Sequence, residues 1–109
     1  MYGEKKGWDI LIEIGGKLFD WDINKAVNNI YKHGITFEEA ASVFFDEFAI
    51  EYDDEEHSQN EDRFIIIGKS RRLRLLVVCH CYRNDDMVIR IISARKASKA
   101  EIELYGDAL

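Results

Sequence analysis

The side chains best suited to phosphate chemistry come together if the last two apolar runs of the chain pair as a hairpin. Leu73 to Tyr82 and Met87 to Ala94 are β-branched and aromatic runs of strand length, separated by the turn sequence Arg83-Asn84-Asp85-Asp86. Pairing Tyr82 with Met87 is expected to set His80 opposite Ile89, Leu76 opposite Ser93 and Arg74 opposite Arg95. One face would then gather Arg74, Arg95, Ser93, His80 and Tyr82. That set offers guanidinium forks for phosphate, an imidazole for proton transfer and an aromatic ring for base stacking. A register slip of one residue would send it to the other face.

Metal and redox chemistry are served less well. On a strand Cys79 and Cys81 share one face while His80 points to the other, so the three do not converge on one zinc ion. Their apolar neighbours point to buried, inert thiols. The two cysteines are too close for an ordinary structural disulfide, and no third exists, which fits a reducing compartment. Asp53-Asp54-Glu55-Glu56 with His57 lacks the glycine and alternating spacing of a calcium loop and reads as a solvated loop. There is no glycine-rich phosphate loop, nucleophile elbow or His-Glu-x-x-His, and neither metal nor cofactor is expected.

A chain of 109 residues, 47% hydrophobic, is one domain with enough apolar material for its own core. The net charge of −6 argues against general attraction to nucleic acid. The charge is uneven, however. Residues 1–62 hold 16 acids against 5 bases, and residues 63–109 hold 10 bases against 5 acids. The second half is therefore a candidate positive surface. The longest unbroken apolar run, Leu75 to Cys79, is too short to span a membrane, and the first nine residues contain no signal-peptide core. A cytoplasmic protein without membrane contact is expected.

These residues must be positioned by local elements that the pattern predicts. Gly15-Gly16 between Ile10–Ile14 and Lys17–Trp21 signals a hairpin. Asp22 caps a helix from Asn24 to His33 with Val27, Ile30 and Tyr31 on one face, ended by Gly34. Thr36 and Glu39 form a capping box that opens a helix burying Phe37, Ala40, Ala41 and Phe44. Phe48 to Tyr52 and Phe64 to Ile67 read as further strands, and Ser98 and Glu101 box a last helix stopped by Gly106. The expected class is α+β: a small antiparallel meander sheet with two N-terminal helices packed on it and a C-terminal helix.

Three segments of this chain together resemble the BrnT family, the ribonuclease toxins of bacterial type II toxin–antitoxin modules. The first runs from Phe19-Asp-Trp-Asp-Ile-Asn-Lys25 through Lys32-His-Gly-Ile35 to Phe37-Glu-Glu-Ala40 and Val43-Phe44. The second is Asp62-Arg63-Phe-Ile-Ile-Ile-Gly68 leading to Leu75-Leu-Val-Val78, and the third is Ile89-Arg-Ile-Ile-Ser-Ala-Arg-Lys-Ala97 with Glu101 and Tyr105. The resemblance implies a RelE-like fold, RNA cleavage and neutralisation by a BrnA-like ribbon-helix-helix antitoxin. It also implies a toxin homodimer within that complex. Residues 1–18 precede the usual family start and read as an N-terminal extension, one strand of a hairpin, ahead of a toxin domain at 19–109.

Carried over residue by residue, the resemblance implies catalytic roles for His33, Arg63, Arg90, Arg95, Glu101 and Tyr105. It implies RNA or phosphate contacts for Lys25, Asn28, Lys32, Ser93 and Lys96, to which the hairpin register adds Arg74 and His80. Each has a plainer reading. Lys25, Asn28 and Lys32 at i, i+3, i+7 make a polar helix face, His33 suits a helix C-terminus and Glu101 serves the capping box. Metal-independent cleavage needs a base for the 2′-hydroxyl, cations for the charged phosphorane and an acid for the leaving oxygen. His33 and His80 are the expected proton-transfer groups, with Arg63, Arg90, Arg95 and Lys96 at phosphate. The alternatives are a non-catalytic module that only binds an antitoxin, and a metal or redox protein built on Cys79, His80 and Cys81.

Overall fold

The computed structural model describes residues 9–107. β1 (Asp9–Ile14) and β2 (Lys17–Asp22) form the expected hairpin, turning on Gly15 and Gly16 at φ 58° and 88°, where side chains are disfavoured. Asp22 then caps α1 (Ile23–His33), accepting from the amides of Asn24 (2.7 Å) and Lys25 (3.2 Å). Gly34 at φ 69° ends it and bonds back to the Ile30 carbonyl. Thr36 caps α2 (Phe37–Ser42), which tightens into a 3₁₀ turn at Val43–Phe45.

The chain then re-enters at the far side of the sheet as β3 (Ile50–Asp53) and makes a second 3₁₀ turn at Glu55–His57. It meanders back through β4 (Phe64–Lys69), β5 (Leu75–Arg83) and β6 (Val88–Lys96), then ends in α3 (Lys99–Asp107). The spatial order is β1-β2-β6-β5-β4-β3. The sheet is thus six-stranded and mixed, not the expected antiparallel meander, because β6 returns beside β2 and runs parallel to it. The β1–β2 hairpin also precedes both helices. The first eight residues of the expected N-terminal extension lie outside the described residues.

Apolar residues cover both faces of the central strands. α1 and α2 lie on the first face, over a core that includes Phe19, Trp21, Phe37, Ile66, Val78 and Ile91. α3 lies on the second, where Tyr105 packs with Ile67 and Val77. It continues through Gly106 to Asp107, so that glycine does not stop it.

The apolar stripe of α1 faces outward. Val27, Ile30 and Tyr31 are exposed, at 46, 48 and 85%. Asn29 is buried instead, bonding the Ala94 amide (3.0 Å) and carbonyl (2.8 Å) and the Ile35 carbonyl (2.9 Å). Strand-like pairing of this amide with β6 turns the helix and leaves its apolar stripe outward.

The last hairpin is also shifted. Arg83 pairs with Val88 around a turn in which Asn84, Asp85 and Asp86 all have positive φ, so Tyr82 faces Ile89 and His80 faces Ile91. A bulge beside Cys79 and His80 then slips the ladder once more, setting Cys79 against Ser93 and Val77 against Arg95. Arg74 lies before β5 and does not oppose Arg95.

Candidate functional site

Strand alternation brings four arginines to the sheet face away from α1 and α2: Arg63 just before β4, Arg83 on β5, and Arg90 and Arg95 on β6. Each meets carboxylates. Arg95 forks onto Glu101 (2.7 and 2.8 Å), whose carboxylate also accepts from the Ser98 amide (2.8 Å) to close the expected box. Hydrogen bonds from Arg95 hold the Glu101 carboxyl down to about 2. Arg90 bridges Asp20 (3.2 Å) and Asp9 (3.4 Å). Asp20 is fully buried; burial pushes its carboxyl up, against the pull of Arg90, and its Oδ1 has no hydrogen-bond partner.

Arg83 bonds Glu61 at 2.6 Å, while Arg63 lies 4.0 Å from the other oxygen of that carboxylate. The Arg63 Nε is buried and makes no hydrogen bond. Beside it opens a cavity of about 310 Å³ lined by Glu56, His57, Gln59, Asn60, Glu61 and Arg63. The loop that forms it is pinned at its ends, where the Asp54 amide donates to the Arg63 carbonyl (2.8 Å) and the Arg63 amide to Ser58 Oγ (2.9 Å). Within it, His57 Nδ1 faces both oxygens of the nearly buried Asp54 carboxylate, at 3.0 and 3.1 Å. Cys79 donates to the same carboxylate at 3.7 Å. Burial pushes both thiols up to about 11, as expected for inert cysteines.

The expected site residues divide between this face, the opposite face and the interior. Lys25, Asn28, Lys32 and His33 are exposed on α1, across the sheet from the four arginines. Arg74 is also there. It forks onto the buried Glu39, which accepts from Ser70 Oγ (2.7 Å) as well, and reaches the Gly34 carbonyl (3.3 Å). Glu39 therefore spends its side chain on Arg74 and Ser70 and completes only half of the expected box, its amide bonding Thr36 (3.0 Å). The clamp's hydrogen bonds from Arg74 lower the Glu39 carboxyl.

His80 is fully buried and does not join Arg95 and Arg74. Its Nδ1 faces the Val78 carbonyl (3.1 Å) and its Nε2 the Glu51 carboxylate (2.6 Å), which also accepts from Tyr82. A carbonyl only accepts, so Nδ1 is the donor in that contact. Tyr105 gives its hydroxyl to Asp46 (2.7 Å), and burial pushes it up to about 12. Ser93 and Lys96 are exposed on β6.

What the spacing did not disclose are the partners: Asp20, Glu51, Asp54 and Glu61. The one available signal is Asp20 between the core residues Phe19 and Trp21. Among the described residues no group of three or more His, Cys, Asp or Glu side chains is placed to hold a metal ion, and no helix is long and apolar enough to cross a membrane.

The profile of one protein family, described as "Ribonuclease toxin, BrnT, of type II toxin-antitoxin system", matches residues 21–101. Among solved structures, the chain is similar to the Brucella abortus ribonuclease toxin BrnT, with 26% identity and a TM-score of 0.55, over 72% of this chain and 94% of that one. No curated protein sequence matches.

Proposed function

The chain belongs to the BrnT family of ribonuclease toxins of type II toxin–antitoxin systems, and from that premise we propose that it cleaves RNA itself, by metal-independent phosphodiester transfer, on the arginine-bearing sheet face. The carrying observation is Arg63, a guanidinium with a buried Nε that bonds nothing, beside a cavity open to solvent. Five N–H donors on each guanidinium leave Arg90 and Arg95 able to hold a carboxylate and still offer donors to a phosphate. Their carboxylate partners orient them beforehand, which is how fixed cations stabilise a developing phosphorane. Glu101 acts here by aiming Arg95, and Tyr105 by fastening α3 to Asp46.

The reading includes a ribbon-helix-helix antitoxin as inhibitor, with the toxin dimeric in that complex. A protein partner is supported by the outward stripe of Ile23, Val27, Ile30 and Tyr31 on α1, since contiguous exposed apolar surface marks interaction sites. Inducing the chain alone in bacteria tests the function. Growth arrest with fragmented RNA, relieved by co-expression of a ribbon-helix-helix antitoxin, is the expected result. Intact RNA and normal growth at full expression would favour a module that only binds.

A further inference from the structure

The geometry points to His57 as the general base of the RNA cleavage proposed above, oriented by Asp54 and working beside Arg63. The inference rests on that functional reading and adds to it a residue and a mechanism. His57 Nδ1 lies 3.0 and 3.1 Å from the two oxygens of Asp54. A carboxylate accepts, so Nδ1 is the donor, and the neutral imidazole then carries its lone pair on Nε2. Asp54 is 7% exposed while the His57 side chain is 57% exposed, so the carboxylate is structural support and the imidazole faces the medium. A buried acid fixing the tautomer of an accessible imidazole is the arrangement a general base requires.

The surroundings supply the rest. His57 and Arg63 line the same cavity of about 310 Å³. The backbone bond from the Asp54 amide to the Arg63 carbonyl closes the loop that holds them together. Glu61 also lines that cavity, but Arg83 takes its charge at 2.6 Å, leaving Arg63 the less committed cation. Asn60 and Gln59 add neutral polar groups able to bond a ribose or base edge.

In the step this assigns, Nε2 of His57 removes the proton of the 2′-hydroxyl. The 2′-oxygen forms a bond to phosphorus, the bond from phosphorus to the 5′-oxygen breaks, and that oxygen takes a proton from water. The products are a 2′,3′-cyclic phosphate and a free 5′-hydroxyl, and His57 returns its proton to solvent. Arg63 holds the phosphorane charge.

The test is cleavage of a labelled single-stranded RNA by the purified full chain in EDTA. His57→Gln should lower kcat by about 10²–10⁴-fold with KM and melting temperature little changed. His57→Ala should regain activity with added imidazole, whereas Arg63→Ala should not. Asp54→Asn should also lose activity while ¹⁵N spectra show His57 losing its single tautomer. His33→Gln, across the sheet, should stay active. Full activity in His57→Gln, or loss in His33→Gln alone, overturns the assignment and leaves the ribonuclease reading standing. An inactive wild-type chain overturns both.

Discussion

Asp20 carries a buried carboxylate that the fold does not fully satisfy: Arg90 takes one oxygen and the other has no partner. Burial raises its pKa and Arg90 only partly counters this. A carboxyl raised in the folded state carries stability that is present at low pH and is lost as pH rises through its folded value. Asp20→Asn should therefore be at least as stable as wild type near neutral pH, with the difference closing as pH falls toward about 4. Melting curves across that range check it, and a variant much less stable at neutral pH would mean the ion pair outweighs burial. The same geometry excludes Arg90→Glu as a probe of phosphate binding, because it would set a third carboxylate beside Asp9 and Asp20. At this scale the sequence named these arginines and Glu101 but not Asp20 and Glu61, the acids that Arg90 and Arg83 meet. Asp54 and His57 sit in a run of acids that has the pattern of a solvated loop, and only folding buries one and exposes the other.

Elements whose signals are local were legible. The hairpin on Gly15-Gly16, the caps Asp22, Thr36 and Ser98, and the stop at Gly34 depend on a few neighbouring residues, and all formed. The face of α1 did not follow its apolar periodicity, because Asn29 sets it instead, donating two hydrogen bonds and accepting a third. Asn29→Ala should cost about 2–3 kcal/mol, at roughly 1 kcal/mol per bond, read by denaturant unfolding. A cost below half that figure would mean packing, and not the amide, orients the helix. At the other end, the lowered Glu101 carboxyl contributes stability that is complete above its unfolded pKa of about 4.3 and is lost as pH falls toward about 2. Glu101→Gln should cost about 1 kcal/mol at neutral pH, the usual worth of a cap, and lose less on acidification than wild type does.

Over the whole molecule, the charge asymmetry of the sequence is folded into pairs. Acids of the first half meet bases of the second in Glu39–Arg74, Glu61–Arg83 and Asp20–Arg90. This pairing, which composition does not show, engages Arg74, Arg83 and Arg90 and leaves Arg71, Lys96 and Lys99 exposed. The parallel join of β2 to β6 was equally hidden, since it links strands some 70 residues apart and has no local signature. A chain with net charge −6 that grips RNA through Arg63, Arg90 and Arg95 should show a shallow salt dependence. Three phosphate contacts on a single strand predict a slope of log affinity on log salt of about −2. A much steeper slope would place binding on a broader cationic surface, including Lys25 and Lys32 on α1.

For cleavage of RNA by this face without metal, Arg63 is the cleanest probe, because its side chain holds no other group firmly in place. The measurement is the rate of cleavage of an end-labelled RNA in excess EDTA by wild type and by Arg63→Ala, with melting temperatures taken in parallel. Cleavage by wild type is expected, with a loss of about 10²–10³-fold in the variant and equal stability. No cleavage by wild type, or equal rates in a folded variant, would contradict metal-free cleavage by this face.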